Sequence, residues 1–86
     1  MSESDLQKMP NIGKVAAGKL VEAGIETPEE FRKLGSQRAF LELRLRDPTV
    51  CLSMLYGLEG AVEGVRWHAL SDEKKKQLKD FYKSLE

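Results

Sequence analysis

The segment Met9-Pro10-Asn11-Ile12-Gly13-Lys14 is where residue types and spacing in this sequence come nearest to a chemistry. A proline-containing turn runs through Asn11, Ile12 and Gly13 into an apolar-periodic stretch, so a helix is expected to begin there. The first N–H groups of a helix have no intrahelical acceptor and carry the positive end of its dipole. Such an end suits an anion, above all a phosphate. Lys14 lies beside it and Lys19 follows one to two turns on. Gly13 lets the backbone approach an anion with no Cβ in the way. The expected chemistry is therefore non-covalent, with a phosphate or DNA backbone held by Asn11, Ile12, Gly13, Lys14 and Lys19. The same bend also recurs as a plain packing corner between two helices. The two readings differ in whether the amide end stays open.

No other residue set carries a reaction. His68 is the only histidine and has no second His or Cys at ligand spacing, so no metal is expected. No Walker, dinucleotide or nucleophile-elbow pattern occurs, which predicts a non-enzyme without a cofactor. Cys51, the single cysteine, cannot form an internal disulfide and reads as a small hydrophobe on an apolar stripe. Trp67 reads as a core plug at a loop, and His68 as a residue packing near the start of the last helix. Lys75, Lys79 and Lys83, with Lys76 adjacent, form a basic stripe of the kind that solvates an amphipathic helix.

Fourteen Lys and Arg balance fourteen Asp and Glu, so the chain has no overall basic field for coating nucleic acid. A local phosphate contact is still compatible with neutrality. The polar, acidic start Met-Ser-Glu-Ser-Asp is unlike a leader, and the apolar runs are too short to span a bilayer. A reducing, cytoplasmic setting with no membrane partner is expected.

The elements that would position these residues are marked by stop and start signals. Gly24 reads as a helix-ending residue, and Thr27-Pro28-Glu29-Glu30 as a capping box with proline at the first helical position. Gly35-Ser36 repeats the stop and cap; Asp47-Pro48 and Ser71-Asp72-Glu73 read as further starts. The spacing predicts helices near 4–9, 13–23, 28–34, 37–46, 49–63 and 72–85. Leu78, Phe81, Tyr82 and Leu85 define the buried side of the last. The fold class is all-α: a compact bundle of five to six short helices in a single domain over 1–86, with an ordered core of about 5–85.

Helix 49–63 reads as central, with an apolar stripe of Cys51, Met54, Leu55, Leu58, Ala61, Val62 and Val65. Ser53, Gly57, Gly60 and Gly64 form a small-residue stripe beside it. Each interior glycine costs about 1 kcal/mol against alanine, which predicts close approach by a neighbouring segment more readily than a ligand groove. Helix 37–46 has two apolar faces: Ala39, Phe40 and Leu43 on one, Leu41 and Leu45 on the other, flanked by Arg38, Glu42 and Arg46. A peripheral helix in so small a domain is expected to turn one face to a partner. Arg38, Leu41 and Leu45 are thus candidates for binding a protein partner or a second copy in a homodimer.

Ile12, Gly13, Ala16 or Ala17, and Leu20 resemble the helix-hairpin-helix motif of DNA-binding proteins, with Asn11 in place of its first glycine. Asparagine is the residue next most tolerant of a left-handed backbone, so the turn survives while the amide cradle narrows. Pro10 to Gly13, Ala23-Gly24-Ile25, Thr27 with the acids after it, Leu34-Gly35 and Leu-Tyr-Gly-Leu-Glu-Gly-Ala at 55–61 extend the likeness over roughly 6–85. Together they resemble the C-terminal domain family of the bacterial TfoX (Sxy) competence regulators. The resemblance implies a SAM-like helical domain of helix-hairpin-helix character, linked to control of competence and DNA uptake. A full regulator of this kind carries an additional N-terminal domain, so the chain reads as a stand-alone copy. The expected function is a non-catalytic regulatory interaction module; a DNA-binding helix-hairpin-helix domain is the alternative.

Overall fold

Two helix starts carry the cap that the sequence places there. The hydroxyl of Thr27 accepts a hydrogen bond from the Glu30 amide at 3.1 Å, with Pro28 opening the helix. Ser71 accepts from the Lys74 amide at 3.0 Å at the start of the last helix. A computed structural model describes residues 2–85, side chains from residue 4 onward. Its elements are α1 (Ser2–Gln7), α2 (Lys14–Glu22), α3 (Pro28–Leu34), α4 (Ser36–Arg46), α5 (Leu52–Glu63), a 3₁₀ turn (Trp67–Ala69) and α6 (Asp72–Ser84). There is no strand among the described residues, and the all-α expectation holds.

Two start signals are corrected. Ser36 is the first residue of α4 and not its cap; its hydroxyl turns to Glu59. Asp47-Pro48 does not open a helix; it ends α4 and leads into a loop, so α5 starts at Leu52. The Asp47 carboxylate accepts from the Thr49 amide at 3.0 Å, the side-chain-to-backbone bond of an Asx turn. That local bond competes successfully with helix initiation. Cys51 is consequently the residue before α5, and it is exposed; it is not part of the buried stripe. The 3₁₀ turn was not signalled at all.

The core is a single cluster drawing on every helix. Leu6, Leu20, Phe31, Phe40, Leu43, Leu55, Leu58 and Leu78 are fully enclosed, and each such side chain contributes about 1.5–3 kcal/mol on burial. α5 lies at the centre, packed against α4, α6 and the 3₁₀ turn, while α1 packs on α2 across the hairpin. The Cα radius of gyration, 11.8 Å, matches the roughly 12 Å of a well-packed chain of this length. A buried polar tie joins three helices at one edge. Ser36 of α4 donates to Glu59 of α5 at 2.5 Å, and Lys74 of α6 stands 3.9 Å from the same carboxylate. Glu63, one turn on, has its proton affinity raised by a hydrogen bond with Glu59, by burial and by the charge of that neighbour.

The small-residue stripe resolves into two different jobs. Gly64 lies past the helix interior: it ends α5 in a left-handed conformation (φ +78°), and the Val65 amide reaches back to the Gly60 carbonyl at 2.9 Å. Gly60 is where another segment approaches closely. A Cβ there would lie 2.5 Å from the Asn11 amide nitrogen and 2.7 Å from the Val65 carbonyl oxygen. Gly57 is less constrained, since its Cβ would meet Asn11 at an ordinary 3.6 Å.

Gly60→Ala is therefore expected to destabilise the fold by about 1–3 kcal/mol through overpacking. The helix-propensity gain of about 1 kcal/mol offsets only part of that. Urea denaturation of the two proteins measures the difference, and an alanine variant of unchanged or greater stability would refute the close approach.

Candidate functional site

The bend between α1 and α2 is built from short backbone bonds and one side chain. Met9 donates to Leu6 at 3.0 Å, and Ile12 donates to Met9 at 3.2 Å. Asn11 adopts φ +67°, the only non-glycine residue with positive φ among those described. Its side chain reaches across to the far end of α5. The amide nitrogen donates to the Val65 carbonyl at 3.0 Å and the Gly57 carbonyl at 3.3 Å, and the side-chain oxygen accepts from the Trp67 amide at 3.1 Å. A glycine at this position would meet the backbone demand but supply none of these bonds.

The five residues expected to form an anion site are differently engaged. Asn11 spends its side chain on the protein's own backbone. Ile12 is a core residue whose N–H is occupied inside the turn. Lys19 pairs with Asp47 at 2.5 Å, which ties α2 to the loop before α5. In all three the polar group is satisfied within the protein. Gly13 and Lys14 remain outward. No side chain caps the start of α2, a Cβ on Gly13 would meet nothing within 4 Å, and the following Val15 is 72% exposed. Lys8 and Arg66 line the shallow groove that Gly13 also borders.

Trp67 corrects a second expectation. It is not a core plug: it is 39% exposed, with its ring stacked near-parallel to Tyr56 (centroids 6.1 Å, 9°) and against His68 (4.0 Å, 30°). Lys75 sits 5.6 Å from the same ring, so the first lysine of the basic stripe covers an aromatic surface. The physical reason is the bond from the Trp67 amide to Asn11, which holds the backbone here and leaves the ring outside α5. Cys51 lies across the neighbouring cleft, its thiol pKa lowered by the Ser53 hydroxyl and amide. Among the described residues no three His, Cys, Asp or Glu side chains are grouped to hold a metal.

The second candidate surface is α4. Ala39, Phe40 and Leu43 turn into the core, as the two-faced pattern requires. On the other side Leu45 is 81% exposed, Leu41 is half-buried, and Pro48 and Leu85 extend the apolar groove. Arg38 and Arg44 border it; Arg38 stands 3.7 Å from Glu42, and Arg44 lies over the Tyr82 ring at 5.7 Å.

Comparison with known proteins fixes the lineage. The chain matches the TfoX C-terminal domain over residues 2–82. It belongs to that family. It is 31% identical over 80 residues to Protein Sxy of Escherichia coli strain K12, covering 93% of this chain and 38% of that protein. The chain thus spans well under half the length of this curated relative. A solved structure of an uncharacterized protein from Listeria monocytogenes, in a triclinic form, is 52% identical with a TM-score of 0.92, covering 93% of this chain and 91% of the other. A tetragonal form from the same organism, of a protein of unknown function, gives 52% identity and a TM-score of 0.89 over 98% and 99% of the two chains. In this TfoX C-terminal domain no helix among the described residues is long and apolar enough to cross a membrane.

Asn11 was legible as a left-handed turn residue, but nothing in the sequence flagged its long-range bonds; the glycine at position 60 was the only trace. Asn11→Gly keeps the backbone conformation and deletes three hydrogen bonds, each worth about 0.5–1.5 kcal/mol. A loss of about 2–3 kcal/mol is expected by thermal or urea unfolding, and equal stability would show the bridge to be incidental.

The Lys19–Asp47 pair gives a signed pH dependence. The hydrogen bond from Lys19, then those from Thr49, lower the Asp47 pKa from 3.8 to about 2. A carboxyl more acidic in the folded state contributes stability that is complete above pH 3.8 and lost as pH falls toward about 2. Asp47→Asn should therefore flatten the decline in urea midpoint over that window and leave the raised Glu63 carboxyl, whose contribution falls at higher pH, untouched. An acid limb identical in both proteins would disprove the linkage.

Proposed function

We propose that this chain is a non-catalytic regulatory interaction module of the competence-regulator type, acting in the bacterial cytoplasm, and that the outer face of α4 receives a protein partner. The observation that carries this reading is Leu45, a large apolar side chain 81% exposed and continuous with Leu41, Pro48 and Leu85. Contiguous apolar surface of this kind on a small domain favours association. Arg38 and Arg44 at its border suit the polar rim of an interface. The balanced total charge and the commitment of Lys19 to Asp47 weigh against a module built around a nucleic-acid backbone.

A second reading has one specific observation in its favour. The start of α2 has no side-chain cap, Gly13 and Lys14 face outward, and Lys8 and Arg66 adjoin. DNA phosphates could be held there by amides of the first turn and by lysine.

A photocrosslinking amino acid placed at Leu45, and separately at Lys79, distinguishes the first reading in cells. Discrete protein adducts from position 45 and none from 79 are expected; identical patterns would defeat the proposal. A salt-titrated DNA-binding measurement tests the second. Phosphate contact predicts affinity falling steeply with salt, with Lys14→Ala reducing the logarithmic slope by about one. Salt-insensitive or absent binding eliminates it.

A further inference from the structure

The outer face of α4 is apolar at its centre and lopsided in charge at its edges. Leu41 and Leu45 stand one turn apart, with Pro48 and Leu85 extending the groove. Its lining holds two cations, Arg38 and Arg44, and one acid, Glu42. Arg46, exposed on the same helix, adds a third positive charge. The one acid is already answered within the helix, since Glu42 faces Arg38 at 3.7 Å. Among the described residues, neither Arg44 nor Arg46 has a carboxylate partner. Arg44 is further held by its position over the Tyr82 ring, which limits the rotamer freedom it would lose on engaging a ligand.

Resting on the reading that this face binds protein, we infer that its occupant is an amphipathic helix of another protein, with an apolar stripe bordered by Asp or Glu. The roughly 6 Å rise between Leu41 and Leu45 matches the spacing of apolar residues four apart on a docked helix. Acidic flanks on that helix supply the carboxylates that Arg44 and Arg46 lack among the described residues. A second copy fits worse. Two-fold pairing of α4 on α4 brings a face lined by two arginines and one acid against its equal, and like charges across an interface oppose association. A nucleic-acid backbone satisfies the arginines but offers nothing to cover the leucines.

Selection of helical peptides from a randomised display library against the 86-residue protein tests this, with Leu45→Asp as the counter-selection target. Peptides retained by the wild type and released by Leu45→Asp should be enriched in Asp and Glu beside their apolar stripe. For such peptides, Leu45→Asp should weaken binding by about tenfold or more, as loss of a central anchor does. The Arg44→Glu, Arg46→Glu double variant should weaken acidic peptides and accept counterparts whose flanks are recoded to lysine, a reversal that a merely unfolded variant cannot produce. Circular dichroism confirms that each variant remains helical. Leu45-dependent peptides with neutral or basic flanks overturn the inference while leaving the protein-binding reading intact. So does a concentration-dependent dimer in sedimentation that Leu45→Asp abolishes. A monomer that yields no Leu45-dependent peptide overturns both.

Discussion

The side chain of Asn11 is the joint on which the arrangement of the hairpin and the last third of the chain depends. It joins the α1–α2 bend to the end of α5 and the 3₁₀ turn through three hydrogen bonds to backbone groups separated from it by 46 to 56 residues. Two of those partners, the Val65 carbonyl and the Trp67 amide, lie past the end of α5, where backbone groups lack a place in regular structure; the third is the Gly57 carbonyl within the helix. Meeting them from outside the helix needs a side chain with both a donor and an acceptor, on a backbone able to adopt positive φ. Asparagine offers both together. The demand then passes to the partner surface: Asn11 can reach Val65 only where α5 has no Cβ, which is the reason for Gly60.

This coupling explains the departure from the helix-hairpin-helix pattern. A glycine at position 11 leaves the bend free of side chains and its amides open; asparagine exchanges some of that openness for a cross-link. The chain has kept the motif's geometry and turned part of it toward internal packing. Lys19 shows the same shift, since its charge is taken by Asp47 and not offered to solvent. What remains outward at the bend is Gly13 and Lys14.

The helices were legible from their apolar spacing, and two of their starts also carried their own local chemistry. Thr27-Pro28 and Ser71 act within three residues, so a reader of the sequence sees both donor and acceptor. Asp47 misled for the same reason: its carboxylate does bond a nearby amide, but in a turn instead of a cap. Long-range placement was not legible. Trp67 lies outside the core because Asn11 fixes its backbone amide, and no local pattern near residue 67 encodes a partner at residue 11. The two faces of α4 were readable from periodicity alone, because burial of Ala39, Phe40 and Leu43 forces Leu45 outward whatever the rest of the fold does.

These two surfaces carry opposite physical economies. At the bend, polar groups that could have met a ligand are satisfied internally, so binding there must compete with bonds already made. On α4, the apolar side chain is unsatisfied in the folded protein, and nothing internal has to be given up to cover it. A folded monomer gains no stability from leaving Leu45 in water, and a charged residue there would serve solubility better. The exposed face of α4 therefore costs the isolated domain solubility, whereas covering it would break no bond within the fold.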